Sequence, residues 1–305
     1  MQFKNVLFFE ISGSTVPETT AFSSALKKFA FTPCRATASL SSGWISPTEE
    51  KLGHGEVAPL LHAVNEYRMI CLQSEEKILP PAVVCQELEE QVRKIERTQH
   101  RKVSTKEKYT MRQGIYGALL PKAFTKKNKL YAYFDIKNNW LILDTITVSK
   151  VELFLKILKK TFPNMRVVPP EIKNLSIVMT CWLLNENQPK SLEIEKSCVL
   201  QDPRDQKRML RCQQQDLSAG TIKALLKDGY AVSQLELCWK NQIVFTLTDK
   251  FVLKSLKYQD TAFELAQGDI SEEKQEKFNL EFLMMTDCLE KLLAHLIKAL
   301  LKREA

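Results

Sequence analysis

Leu130-Tyr-Ala-Tyr-Phe-Asp135-Ile-Lys-Asn-Asn-Trp140-Leu-Ile-Leu-Asp-Thr-Ile-Thr147 is the stretch from which the fold class is read. Two runs rich in aromatic and branched residues flank Lys137-Asn138-Asn139, a composition that suits a tight turn, so a β-hairpin is expected. A second unit of the same pattern follows at Ala231–Lys240 and Ile243–Leu247, turning at Asn241-Gln242. The likeness of the two units suggests a distant internal duplication. Between and around them lie helical periodicities without a regular βαβ rhythm, which favours α+β over a doubly wound sheet.

Working outward, Phe3 to Ile11 and Arg68 to Gln73 read as strands. A helix follows Pro17 with Phe22 and Leu26 inward, and it stops before Pro33. Ser39 to Glu56 reads as loop and short strands anchored by Trp44. Leu79-Pro80-Pro81 punctuates the first half, and Val84, Leu88, Val92 and Ile95 recur at helical spacing from Ala82 to Lys102. Ser104-Thr-Lys-Glu107 matches a capping box and opens a helix from Thr105 to Leu119, before a Pro121–Lys127 loop. Lys150 to Phe162 reads as an amphipathic helix, Leu175 to Leu184 and Leu192 to Leu200 as strands. Ser218 starts a short helix ending at Gly229. Phe278, Phe282, Met285, Leu289, Leu292, Leu293, Leu296, Ile297 and Leu300 mark a long amphipathic C-terminal helix. The division expected is an N-terminal α/β part over 1–78, a basic helical segment over 79–130, a second α/β part over 131–262 and a terminal helix over 263–305.

The charge is concentrated. The 305-residue chain has a net charge of +8. Arg93, Lys94, Arg97, Arg101, Lys102, Lys106, Lys108, Arg112, Lys122, Lys126, Lys127 and Lys129 stand against only Glu96 and Glu107, so this one segment carries more than the whole excess. A block of that kind suits a polyanion: it neutralises phosphates and releases counterions without reading sequence. Lysine outnumbers arginine in it, and Tyr109, Tyr116 and Phe124 are its only aromatics. Both facts favour duplex backbone over stacked single strands.

Other chemistry is sparse. Eight scattered cysteines show no Cys-x-x-Cys spacing, which argues against a zinc ribbon or redox motif and suits a reducing cytoplasm. No phosphate loop, dinucleotide fingerprint or Gly-x-Ser-x-Gly elbow occurs. No run of eighteen apolar residues suggests a membrane span. His54 and His62, with Glu56 nearby, are expected on a solvated loop and a helix face, not around a metal. Asp135 and Asp144 flank the hairpin as candidate carboxylates for metal-assisted phosphoryl transfer. That reading ranks behind a second one, in which the basic face meets an acidic protein. The chain is expected not to be an enzyme and to need no cofactor.

A set of short motifs occurs in order: Ala30-Phe-Thr-Pro-Cys34, Gly43-Trp44, Glu75-Glu-Lys-Ile-Leu-Pro80, Leu119-Leu-Pro-Lys-Ala-Phe124, Gln215-Asp-Leu217, Lys254-x-Leu-Lys257 and Asp287 in Phe282-Leu-Met-Met-Thr-Asp287. Their order and spacing over nearly the full length resemble the bacterial recombination-associated RdgC family. The resemblance implies a non-enzymatic, sequence-independent binder of double-stranded DNA, associated with the nucleoid in the cytoplasm. It implies horseshoe-shaped subunits closing into a ring-shaped homodimer around duplex and restraining the RecA recombinase. It places a gate contact between subunits at Phe124 and a DNA-facing finger, within 200–217, at Cys212 to Gln215. Some relatives carry lysines where this chain has Gln213 and Gln214, so polar contact in place of strong charge is expected from the finger here.

Overall fold

The computed structural model describes residues 2–13, 16–48, 58–259 and 274–301. The expected hairpin forms β5 (Phe124–Asp135) and β6 (Trp140–Leu143), with Asn139 in the left-handed region at the turn (φ 53°). The fold is α+β, built on one twelve-stranded antiparallel sheet. Its remaining strands are β1 (Val6–Ser12), β2 (Leu40–Ile45), β3 (His62–Val64), β4 (Tyr67–Ile78), β7 (Arg166–Val168), β8 (Leu192–Asp202), β9 (Asp205–Cys212), β10 (Ala231–Trp239), β11 (Ile243–Thr248) and β12 (Val252–Tyr258). The order across the sheet is β2-β4-β5-β6-β1-β12-β11-β10-β8-β9, all antiparallel; β3 pairs with β4, and β7 with β1. The two hairpins thus stand on either side of the central β1–β12 pair.

Alternation of side chains along a strand puts successive residues on opposite faces, and the core is divided accordingly. On β1, Val6 and Phe8 join one buried cluster, while Phe9 and Ile11 join the other. On β5, Tyr133 faces the first and Leu130, Ala132 and Phe134 the second. Helices α1 (Thr19–Lys28) and α4 (Val148–Thr161) cover the second face with Phe22, Leu26, Phe154 and Leu158. The first face is covered by α5 (Leu175–Asn185), α6 (Gly220–Lys227) and a long C-terminal helix, α7 (Lys274–Leu301), through Trp182, Ile222, Phe282, Met285, Leu289, Leu293 and Leu296. This part of the sheet is buried on both sides. That is why β6 and the Leu130–Phe134 part of β5 read as nearly continuous apolar runs.

Residues 175–184, expected as a strand, are helical. The run is apolar all round, so periodicity does not separate a buried strand from a buried helix. Leu175, Met179, Trp182 and Leu183 are its buried side chains, at helical spacing. The contacts confirm the choice: Ser176 Oγ donates to the Val232 carbonyl (2.7 Å), and Val232 N–H donates to Thr180 Oγ1 (2.9 Å), docking α5 on β10. The stretch 121–127 is also mostly not loop. After a short 3₁₀ turn (Leu120–Lys122) the chain enters β5 at Phe124. Strands β3, β7, β9 and β12 have no counterpart in the sequence reading. The acidic residues Asp269, Glu272 and Glu273, like His54 and Glu56, lie outside the described residues.

Gly43 shows why the Gly-Trp motif matters locally. The chain leaving α1 crosses β2, where Phe31 N–H donates to the Trp44 carbonyl (2.9 Å) and Trp44 N–H to the Phe29 carbonyl (3.0 Å). A Cβ at Gly43 would lie 2.5 Å from Phe31 Cα and 2.6 Å from its nitrogen, so the backbone itself would have to move. Gly43→Ala is expected to cost about 1–3 kcal/mol, the range for overpacking. Urea unfolding should show a lower midpoint with an unchanged slope.

Candidate nucleic-acid interface

The basic segment is mounted on the β4–β5 ribbon. These strands pair over twelve positions without a slip, from Tyr67↔Asp135 to Ile78↔Phe124. The half nearest the turn is buried; beyond Leu72 and Leu130 the ribbon becomes largely exposed. At its far end the chain leaves β4 at Ile78 and returns at that residue's partner, Phe124. Everything between is a helical hairpin of α2 (Pro81–Gln99) and α3 (Thr105–Leu119). At 1.5 Å per residue α2 is about 28 Å long. The buried side chains of this hairpin, Val84, Val92, Val103 and Ile115, belong to neither core cluster, so the hairpin has a small core of its own.

The expected capping box is present. Glu107 N–H donates to Ser104 Oγ, and Ser104 N–H to Glu107 Oε2, each at 3.3 Å. Glu107 also receives both terminal nitrogens of Arg101 (2.6 and 2.8 Å), a bidentate pair. Glu96 accepts from Val103 N–H (3.2 Å). The segment's only two acids therefore hold the corner between α2 and α3. At the hairpin's base, Lys77 Nζ donates to the carbonyls of Ala36 (2.6 Å) and Leu120 (2.8 Å).

All twelve predicted basic residues are exposed. Arg93, Lys94, Arg97, Arg101 and Lys102 lie on α2 and the corner, Lys106, Lys108 and Arg112 on α3, Lys122 on the 3₁₀ turn, and Lys126, Lys127 and Lys129 on β5. The ribbon lysines have neighbours the sequence reading overlooked, because pairing partners are distant in the chain. Lys126 stands opposite Glu76 and Lys127 opposite Glu75. Glu75 is 5% exposed and held below its usual range chiefly by the Cys34 N–H it accepts (2.7 Å), with Lys127 and Lys77 adding to the effect. Arg93 is paired with Glu89 (3.5 Å).

Phe124 is 86% exposed, the most of any large hydrophobic residue described, and its register partner Ile78 is 49% exposed. Next to them a cleft of about 300 Å³ is lined by Leu79, Pro81, Val84, Arg112, Gln113 and Tyr116. The hairpin base therefore carries an apolar knob and an apolar recess together.

The residues where the resemblance implies a finger, Cys212 to Gln215, lie at the end of β9 and in the turn after it. Gln213, Gln214 and Gln215 follow β9 directly and are exposed; Gln214 has φ 52°, and Gln215 N–H donates to the Lys196 carbonyl (3.1 Å). Gln214 and Gln215 line a cleft of about 620 Å³ that also carries Glu186, Glu193, Glu195 and Asp216, an unwelcoming setting for phosphate. Basic side chains lie just upstream of these glutamines. Edge strand β9 and its turn expose Arg204, Lys207, Arg208 and Arg211, with Arg204 and Arg208 turned toward Asp202 (3.0 and 3.9 Å). The Asp-Gln-Lys-Arg-Met-Leu-Arg run was the signal available in the sequence.

The candidate carboxylates are not brought together. Asp135 closes the hairpin turn, accepting from Asn138 N–H (3.0 Å) and Nδ2 (2.7 Å). Asp144 accepts from Lys4 and Asn5 N–H (3.0 and 3.1 Å). In the ladder Asp144 is level with Tyr131, four residues from Asp135, or about 13 Å along the strand. Among the described residues no group of three or more His, Cys, Asp or Glu side chains is arranged to hold a metal ion. His62 lies on β3, not on a helix, and is buried against the rings of Phe278 and Phe282 (5.0 and 5.5 Å), with burial lowering its pKa. No helix among the described residues is long and apolar enough to cross a membrane.

A family model described as "Putative exonuclease, RdgC" matches residues 1–303. The chain belongs to the RdgC family. A recombination-associated protein RdgC of Yersinia enterocolitica (serotype O:8 / biotype 1B) is 30% identical over 299 residues, covering 98% of this chain and 97% of that protein. The protein of the same name from Yersinia pestis (strain Pestoides F) shows the same identity and coverage. Membership and the shared name support a role in recombination.

The corner pair gives a pH test. Arg101 first, then the Ser104 N–H, hold the Glu107 carboxyl down at about 2. The interaction is fully present above the unfolded carboxylate range and is lost as pH falls from there toward 2. In an NMR titration of the Glu107 carboxyl, Arg101→Ala should move the midpoint up toward the ordinary glutamate range, and α3 amides should exchange faster at its first turn.

Proposed function

We propose that this chain is a sequence-independent double-stranded DNA-binding protein, acting as a ring-shaped homodimer that encircles duplex and restrains RecA-mediated recombination without itself catalysing a reaction. The observation that carries the reading is the exposed basic run from Arg93 to Lys129, whose only two acids, Glu96 and Glu107, are engaged at the corner between α2 and α3. Its length, charge and exposure suit backbone contacts along a duplex, and the arginines of β9 add a second basic strip. At the hairpin's base, the Phe124 knob of one subunit and the cleft beside Tyr116 in the other have complementary chemistry for a gate. The family's other implied features, the nucleoid association and the effect on RecA, follow from the same reading. Against the exonuclease wording of the family description, the two carboxylates considered for phosphoryl transfer, Asp135 and Asp144, stand apart and are each engaged in hydrogen bonds to backbone N–H groups.

Six to ten phosphate contacts should weaken affinity by about 10³–10⁵ between roughly 50 and 200 mM salt. Filter binding across a salt series measures this, and a flat response would sink the proposal. Lys126→Ala with Lys127→Ala should weaken all duplex sequences about equally; loss confined to some sequences would mean base readout. Capture of an acidic protein with no duplex binding at any salt would favour the basic face as a protein-docking surface. Metal-dependent release of nucleotides by the purified protein would establish nuclease activity instead.

For the gate, Phe124→Ala removes a ring that contributes little to the monomer, so the unfolding midpoint should hardly move. Retention on covalently closed circular duplex should fall while binding to short linear duplex persists. Identical behaviour of mutant and wild type on both forms would rule out a gate at Phe124.

A further inference from the structure

The sequence separates Cys198 and Cys212 by fourteen positions, yet the fold makes them direct cross-strand partners on β8 and β9. Opposed residues of antiparallel strands have Cα atoms about 4.5–5.5 Å apart, inside the range of about 4.4–6.8 Å that a disulfide bridges. The two thiols are near enough for a side-chain hydrogen bond between them. Their settings differ. Cys198 is 3% exposed within the main core cluster, and burial first, then Cys212, pushes its thiol up to about 12. Cys212 is half-buried at the end of the edge strand, where a small reagent can reach it.

We propose that Cys198 and Cys212 form a reversible cross-strand disulfide by exchange with a low-molecular-weight disulfide such as oxidised glutathione, stapling edge strand β9 to β8. Cys212, as thiolate, attacks one sulfur of the small disulfide; that S–S bond breaks, a mixed disulfide forms, and the first glutathione leaves as a thiolate. Cys198 then gives up its proton and attacks the Cys212 sulfur, closing the protein disulfide and expelling the second glutathione. Two protein thiols are oxidised by two electrons, one small disulfide is reduced, and the two cysteine protons end on the departing thiolates. Excess reduced glutathione runs the sequence backwards.

The division of labour follows from burial. An accessible thiol reacts first, and a sheltered one with no route to the reagent resolves the mixed disulfide because its only reachable sulfur is its cross-strand neighbour. The strand affected is the outermost in the sheet and carries Lys207, Arg208 and Arg211 before Gln213. A staple there closes a loop of about 15 residues and should strongly suppress local opening of the strand.

The full-length protein is treated with oxidised glutathione, blocked with an alkylating agent and digested with trypsin. The expected product is a disulfide joining the peptide Ser197–Arg204 to the peptide Cys212–Lys223, removed by reduction. Amide exchange across β9 should slow roughly 100-fold in the oxidised form, the factor the chain-entropy estimate gives for such a loop. Cys198→Ala should instead stall as the glutathione adduct on Cys212. Absence of the joined peptide, or a persistent adduct on wild-type Cys212, would overturn the proposal, as would cross-linking dominated by exposed Cys85. If the strand's role in DNA binding is as described above, oxidation also alters the salt dependence of duplex binding. That last readout rests on the proposed function; peptide linkage and amide exchange do not, so the two ideas fail separately.

Discussion

Everything distinctive about this molecule depends on the register between β4 and β5. A one-residue slip would turn every side chain to the opposite face. Such a slip is prevented at the buried end, where Met69, Ile70 and Leu72 on one strand and Tyr133, Ala132 and Leu130 on the other are packed into two separate cores. The exposed end has no comparable constraint. The ladder carries the setting outward, so the positions of Phe124, Lys126 and Lys127 are fixed by packing several residues away. The helical hairpin inherits its placement from the same ladder, since it begins after Ile78 and ends before that residue's partner.

The charge arrangement has a related logic. A basic hairpin of this density repels itself, and its corner must be held by something other than a large core. Glu96 and Glu107 do this at the junction of α2 and α3, and Lys77 holds the base through two carbonyls. These two acids close structural contacts, and among the outward cations Arg93 and Arg101 are themselves ion-paired, with Glu89 and Glu107. On the ribbon the compensation comes across the strands, from Glu75 and Glu76.

What the sequence made legible was local. The Ser104–Glu107 box names its own helix start, and α3 spans the expected residues because capping is decided within four positions. The hairpins at 130–147 and 231–247 declare themselves through turn residues between apolar runs. Residues 175–184 were misread because a segment buried on all sides loses the period that distinguishes helix from strand. The sequence reading lacks β9 because its alternation mixes arginines with Met209 and Leu210 on an edge, β7 because it has three residues, and β12 because lysines interrupt its apolar positions. Of the candidate site, the basic residues could be named from the chain alone. Their cross-strand acids, the recess beside Phe124 and the opposed thiols could not, because each arises from pairing between distant positions.

The middle of the sheet has a consequence for how the protein is made. The first strand of the chain, β1, lies at the centre and pairs with β6 over four positions, Leu7 to Glu10, but with β12 only at Val6 and Leu7. On a ribosome the partner at Leu143 is synthesised 110 residues before the one at Leu253. At about 5–20 residues per second the interval is roughly 5 to 20 s. During that time the N-terminal half can gather around β1 while one stretch of this strand has unsatisfied backbone groups. The late strand that covers them, and the α7 residue Met285 whose sulfur meets Phe3 N–H, arrive with the end of the chain. Nascent chains stopped before Val252 would expose that edge, and with it a ready site for association between copies.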